Sequence, residues 1–191
     1  MRCLTLTLAA VLLMPLAGAA SAACVTIGGG QASLCASSVL AGQGTNTYGP
    51  DNLADEDMTT AWCEGTDGTG VGQRLSLTVH GGGAVDHLLL ANGYQKSGRT
   101  YERNGRLRDV LVRIAGQADR LYTLQDQAGW QRLDLPTLSG VPQIELEIAS
   151  VYPGSKWTDT CVSGLRIGQA DAGPAVQPGP AKDGPLPKWL E

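Results

Sequence analysis

"QIELEIASV", residues 143–151, decides the fold class. Successive side chains of an extended chain point to opposite faces, so Ile144, Leu146 and Ile148 share one face and Glu145 and Glu147 the other. "LSLTV" (75–79) and "VLVRI" (110–114) repeat this period of two. Around them lie further short apolar or alternating runs, "QRLSLTV" (73–79), "AVDHLLLA" (84–91), "LRDVLVRIA" (107–115), "RLYTLQD" (120–126), "WQRLDLP" (130–136) and "CVSGLRIG" (161–168). Gly-rich turns separate them, and helical periodicity is nearly missing. Such spacing predicts an all-β chain folded as an antiparallel β-sandwich or barrel. The stretch before residue 70 is less regular and reads as loop, with Asp57 placed to cap a short helical turn.

The ends differ from this middle. "MRCLTLTLAAVLLMPLAGAASA" carries the basic Arg2 at its start, continues through an apolar run and ends in Ala20-Ser21-Ala22. Residues 1–22 are therefore expected to be a signal peptide and the chain secreted or periplasmic. No other run approaches the about 20 apolar residues that a spanning helix needs. Residues 170–191 hold five prolines and few core formers, and read as a disordered Pro-rich tail. One β-domain, 23–169, remains between them.

With 14 Lys+Arg against 18 Asp+Glu, the 191-residue chain has a net charge of −4. That excludes the broad basic field of a nucleic-acid binder. Five basic residues nevertheless crowd between Lys96 and Arg108. Beyond the leader stand Cys24, Cys35, Cys63 and Cys161; an even number in a secreted protein implies two disulfides, and the count alone leaves three connectivities open. No Cys/His cluster suggests a metal. His80 and His87 read as ordinary strand-end residues beside the glycines at 81–83.

Several motifs carry a resemblance. "DNLADEDMTTAWCEG" (51–65), with Asp55, Asp57, Thr60 and Trp62, is similar to the first long loop of discoidin-like domains, the F5/8 type C, galactose-binding-like jelly-roll sandwiches. "AWCEGTDGTGVGQ" (61–73), "NGYQKSGRTYERNGRLRDVLV" (92–112) and "VYPGSKWTDTCVSGLRI" (151–167) resemble a bacterial subtype, named for the translocation and glycan-binding domain of a secreted NAD glycohydrolase. The resemblance spans about residues 33–168 and implies a binding module without the catalytic unit. It also implies the pairing Cys63–Cys161, since both stand beside motifs that neighbour each other in that fold, and hence Cys24–Cys35. Relatives with structural calcium use the Asp loop and a late glutamate. Here Glu56 stands where Gly is expected after the first Asp, and Ser163 is followed by Gly164 instead of the acid. Calcium needs about six to eight oxygens, so no tight calcium and no other cofactor are expected.

For function, two segments share one chemistry. Tyr94, Lys96, Asn104 and Arg106 lie in 92–106; Tyr152, Lys156 and Trp157 follow in 152–159. Donors, amides and aromatic faces of this kind suit a glycan, or another polar or anionic ligand. These seven are expected to meet at one end of the sandwich, with Trp62 and Glu64 nearby. The competing use is internal: Arg106 paired to Glu64 or Asp159, and Asn104-Gly105 as a tight-turn dipeptide. No G-x-S-x-G, H-E-x-x-H or P-loop is present, and "GGGQAS" (28–33) opens no helix after a strand. The expectation is a non-catalytic module for a glycan or cell-surface polymer. A structural envelope or adhesion domain contacting another envelope protein competes with it, and a cryptic hydrolase is the weakest reading.

Overall fold

A computed structural model describes residues 22–169 except Gly82. The tail expected at 170–191 and nearly all of the expected leader lie outside the described residues. Among the described residues, ten strands form two antiparallel sheets. The strands are β1 (Ala23–Ile27), β2 (Ala32–Ala36), β3 (Trp62–Cys63), β4 (Arg74–Val79), β5 (Val85–Asn92), β6 (Arg106–Ile114), β7 (Arg120–Thr123), β8 (Trp130–Leu138), β9 (Gln143–Tyr152) and β10 (Cys161–Gln169). The larger sheet runs β1-β2-β4-β9-β6-β7 and the smaller β3-β10-β5-β8. The one α-helix described, α1, spans Gly98–Arg103. The chain is thus the nearly all-β sandwich expected from its periodicity.

Alternation explains the register. Leu75 lies opposite Leu146 and Leu77 opposite Ile144, and these side chains enter the core between the sheets with Leu88, Leu90, Leu133 and Leu165. Their alternates face solvent. There Arg113 of β6 lies across from Glu145 of β9 and reaches it at 3.1 Å, with Glu147 at 2.7 Å. Apolar burial sets which face is inside, and the charged face follows because a one-residue slip would exchange the two.

Two elements escape the sequence pattern. β1 and β2 are joined by a turn in which Gly28, Gly29 and Gly30 all have positive φ, so "GGG" serves a hairpin. In α1, Ser97 Oγ accepts from the Thr100 amide while Thr100 Oγ1 accepts from the Ser97 amide. This reciprocal cap satisfies two amides that a helix start leaves unpaired.

Candidate functional site

Two disulfides are formed, Cys24–Cys35 and Cys63–Cys161. Each joins residues directly opposite in antiparallel strands. Cys24 is exposed on β1, whereas Cys63 and Cys161 are buried in a small cluster with Ala61, Tyr48 and Tyr94. This cluster lies beneath a pocket of about 210 Å³ lined by Leu40, Gln43, Asn46, Tyr48, Cys63, Tyr94, Lys96, Thr100, Asn104, Trp157 and Asp159.

Three loops build its walls. The first, 37–48, is tied down by Leu40 N donating to Cys63 O (2.9 Å) and Cys63 N donating to Tyr48 O (3.3 Å). The second carries α1, and the third runs from Pro153 to Thr160. The latter two are zipped by Trp157 N to Arg103 O (2.8 Å) and Gly105 N to Asp159 O (2.9 Å). Their approach needs glycine. A Cβ on Gly154 would come within 2.4 Å of the carbonyl oxygens of Arg103 and Trp157, and one on Gly105 within 2.7 Å of Thr160 Oγ1. Gly105 therefore serves close packing, and Asn104 is the extended C-cap of α1; the pair is no tight-turn dipeptide.

Of the seven residues expected to meet, four line the pocket: Tyr94, Lys96, Asn104 and Trp157. Lys96 Nζ donates to Asn46 Oδ1 at 3.1 Å, and Asn104 Nδ2 donates to Thr100 O at 2.8 Å. Trp157 is 48% exposed. Lys156 lies against its ring, 4.4 Å from the centroid, outside the pocket lining. The other two are corrections. Arg106 is only 8% exposed and is consumed internally: Nε and Nη2 fork onto Asp126 at 2.8 Å each, and Nη1 donates to the carbonyls of Asn104, Pro153 and Tyr101. It binds neither Glu64 nor Asp159. Tyr152 donates its hydroxyl to Leu124 O at 2.9 Å. Both hold loops together because strand ends beneath loops bring unpaired carbonyls, which need donors.

Trp62 and Glu64 are likewise internal. Trp62 is buried in the core and donates to Ser38 O at 3.0 Å. Glu64 is 0% exposed and accepts from the amide and hydroxyl of Thr66 and from the Thr160 amide.

Sequence reading missed Tyr48 and the loop before it. Tyr48 and Tyr94 meet edge to face with centroids 6.2 Å apart. Each is only 7% exposed, and no side chain or backbone group among the described residues bonds either hydroxyl. No side-chain polar atom here is both buried and unpaired, so the exposed remnant of each ring includes its hydroxyl, at the pocket. Burial raises the pKa of both phenols, and they remain neutral donors at physiological pH. The one available signal was an aromatic residue in the polar segment "TNTYGP" (45–50), outside any strand pattern.

Of the calcium ligands that the resemblance implies, the Asp loop is present but bonds itself, and the late acid is replaced by Gly164. Asp55 accepts from the Asp57 amide and from Thr60 Oγ1, and Asp57 from the Thr59 amide, as loop-forming Asx residues do. At the position of the late acid, a Cβ on Gly164 would lie 2.6 Å from the indole of Trp130. The donor set does not fit the ion.

A larger cavity of about 360 Å³ on the outer face of the larger sheet is lined by Arg113 and Glu145, which bind each other.

Residues 26–168 match the NAD glycohydrolase translocation F5/8 type C domain family. The chain belongs to that family. No curated protein sequence matches this F5/8 type C domain. Among solved structures it is similar to the family 32 carbohydrate-binding module (CBM) of Clostridium perfringens NanJ, determined in complex with galactose. That match has a TM-score of 0.52 and 14% identity over 77% of this chain and 98% of the other. The domain CpGH89CBM32-5 of the same organism, in complex with GalNAc-β-1,3-galactose, gives 0.50 and 12% over 72% and 95%. The mycobacterial arabinofuranosyltransferase AftD gives 0.56 and 14% over 85% of this chain and 11% of that one. At such identities the likeness establishes the galactose-binding-like fold.

Proposed function

We propose that this domain is an extracellular, non-catalytic carbohydrate-binding module whose sugar site is the pocket between Tyr48, Tyr94, Lys96, Asn104 and Trp157. The observation that carries this reading is a half-exposed Trp157 beside two tyrosine hydroxyls that no protein group bonds. An indole face suits the C–H face of a sugar, and hydroxyls with an ammonium and an amide suit its oxygens. The pocket is smaller than the about 300–1,000 Å³ of drug-sized sites, which fits one sugar unit at the end of a glycan. The family membership and the sugar complexes of the fold neighbours support the same class of ligand. The lining supports a non-catalytic role, because Asp159 is its lone carboxylate and glycoside hydrolysis ordinarily needs two. The two disulfides support an oxidising, extracellular location, as does the leader expected at 1–22.

The test is a glycan array with the wild-type domain, followed by calorimetry on the best ligand. Trp157→Ala should weaken binding at least about tenfold, about 1.4 kcal/mol, with little change in melting temperature because the side chain is half exposed. Unchanged binding in Trp157→Ala, or no binding to any glycan, would refute the site.

A further inference from the structure

We propose that Asp159 makes this pocket selective for uncharged sugars, so that glycans bearing a carboxylate or sulfate at the bound unit are rejected. The proposal rests on the carbohydrate-binding reading above and names the ligand class that the site admits.

Asp159 is an exception among the acids of the described chain. The other buried or half-buried carboxylates all have partners. Glu64 is held by Thr66 and Thr160, and Asp109 by Thr123 and Ser150. Asp86 meets His87, and Glu145 and Glu147 meet Arg113. Asp159 has no cation and no side-chain donor; its one favourable interaction is with its own backbone amide. Its backbone is fixed, because its carbonyl accepts from Gly105, and its side chain lines the pocket beside Tyr48. Partial burial raises the pKa of its carboxyl. A desolvated carboxylate without a partner is unfavourable for folding alone. A ligand that donates hydroxyl hydrogens to it supplies what is missing.

The same geometry sets the exclusion. A second carboxylate or a sulfate placed in a pocket of about 210 Å³ would lie close to Asp159, and like charges so placed oppose binding strongly. The cations do not cancel this. Lys96 is held on the Asn46 amide and its charge is offset by the neighbouring Asp57 carboxylate, while Lys156 rests on the Trp157 ring and is not part of the lining. The cation-rich 92–106 segment therefore does not make an anion site: Arg106 is neutralised by Asp126 and lies outside the lining.

The decisive measurement compares neutral oligosaccharides with the same oligosaccharides ending in sialic acid, a uronic acid or a sulfated sugar, on wild type and Asp159→Asn. Wild type should favour the neutral members by at least about tenfold. Asp159→Asn keeps the shape and removes the charge; it should narrow that preference to below about threefold by admitting the acidic members. A melting curve verifies that the variant is folded. Wild type binding acidic and neutral glycans equally, or Asp159→Asn retaining the full preference, overturns the selectivity while leaving the sugar site intact. Absence of binding to every glycan overturns both readings.

Discussion

Arg166 grips both carboxylate oxygens of Glu56: Nε donates to Oε1 at 3.1 Å and Nη2 to Oε2. Its other surface lies on the Trp130 ring, 4.2 Å from the centroid. Glu56 is the one described non-glycine residue with positive φ, 63°, at the position where glycine was expected. The left-handed backbone costs a side-chain-bearing residue roughly 1–2 kcal/mol, and an exposed pair returns less than about 1 kcal/mol. Glu56→Gly should therefore melt at or slightly above wild type. Glu56→Ala, which keeps the backbone cost and loses the pair, should melt below it. A Glu56→Gly variant that melts clearly below wild type in differential scanning calorimetry would show that the pair, and not the backbone, dominates.

Gly164 leaves room for the Trp130 ring against β10. Gly164→Ala should destabilise the domain by about 1–3 kcal/mol, since the added carbon overlaps the ring. Gly164→Glu should do so too without creating a calcium site. Excess calcium is expected to leave the wild-type melting temperature unchanged. An ion at 100 times its dissociation constant would add about 2.7 kcal/mol, a shift that thermal melting with and without EDTA would reveal.

Arg106 ties α1, the 153–160 loop and Asp126 to the start of β6. Arg106→Ala should cost roughly 1.5–3 kcal/mol, and Arg106→Lys should recover little, because a lysine cannot reproduce the fork. The guanidinium holds the Asp126 carboxyl below its ordinary pKa. A depressed folded pKa gives stability that is present above the unfolded pKa and lost as pH falls through the folded one. Acid titration of wild type should show this loss, and Asp126→Asn should flatten it.

Asp159 acts with the opposite sign. Its folded pKa is raised by burial, so its contribution is present below the unfolded pKa and lost as pH rises through the folded one. Asp159→Asn should consequently be more stable than wild type at pH 7, with the difference vanishing in acid. A destabilised variant at neutral pH would show that the carboxylate has a structural partner.

The two disulfides close loops of different length, with sequence separations of 11 and 98. Chain-entropy arithmetic gives roughly 3 kcal/mol for the first and roughly 5 for the second. Replacing Cys63 and Cys161 by Ala should lower the denaturant midpoint more than replacing Cys24 and Cys35. It should also weaken sugar binding, because that bridge lies under Tyr48 and Tyr94. Equal losses, with binding intact, would contradict both points.

What the sequence determined by itself is the sandwich. Alternation in "LSLTV" and "IELEI" leaves one face apolar, and burying that face fixes strand, register and layer together. Runs from 73 onward were legible for that reason, and so were the motifs that carry the family. β1 and β2 were less so: both are short, and the cysteines and glycines that organise them have no period. The site was half legible. Tyr94, Lys96, Asn104 and Trp157 could be named from residue type, because exposed loops between strands gather at the ends of a sandwich. Tertiary structure alone decided that Arg106 belongs to Asp126, since a cation's partner depends on which loop crosses above it. The same is true of Tyr48, brought to Tyr94 by the backbone bonds of the 37–48 loop, and of Asp159, whose lack of a partner is a property of the space around it. Hydrophobic alternation is written along the chain, whereas the pairing of charges is set by distances between segments far apart in it.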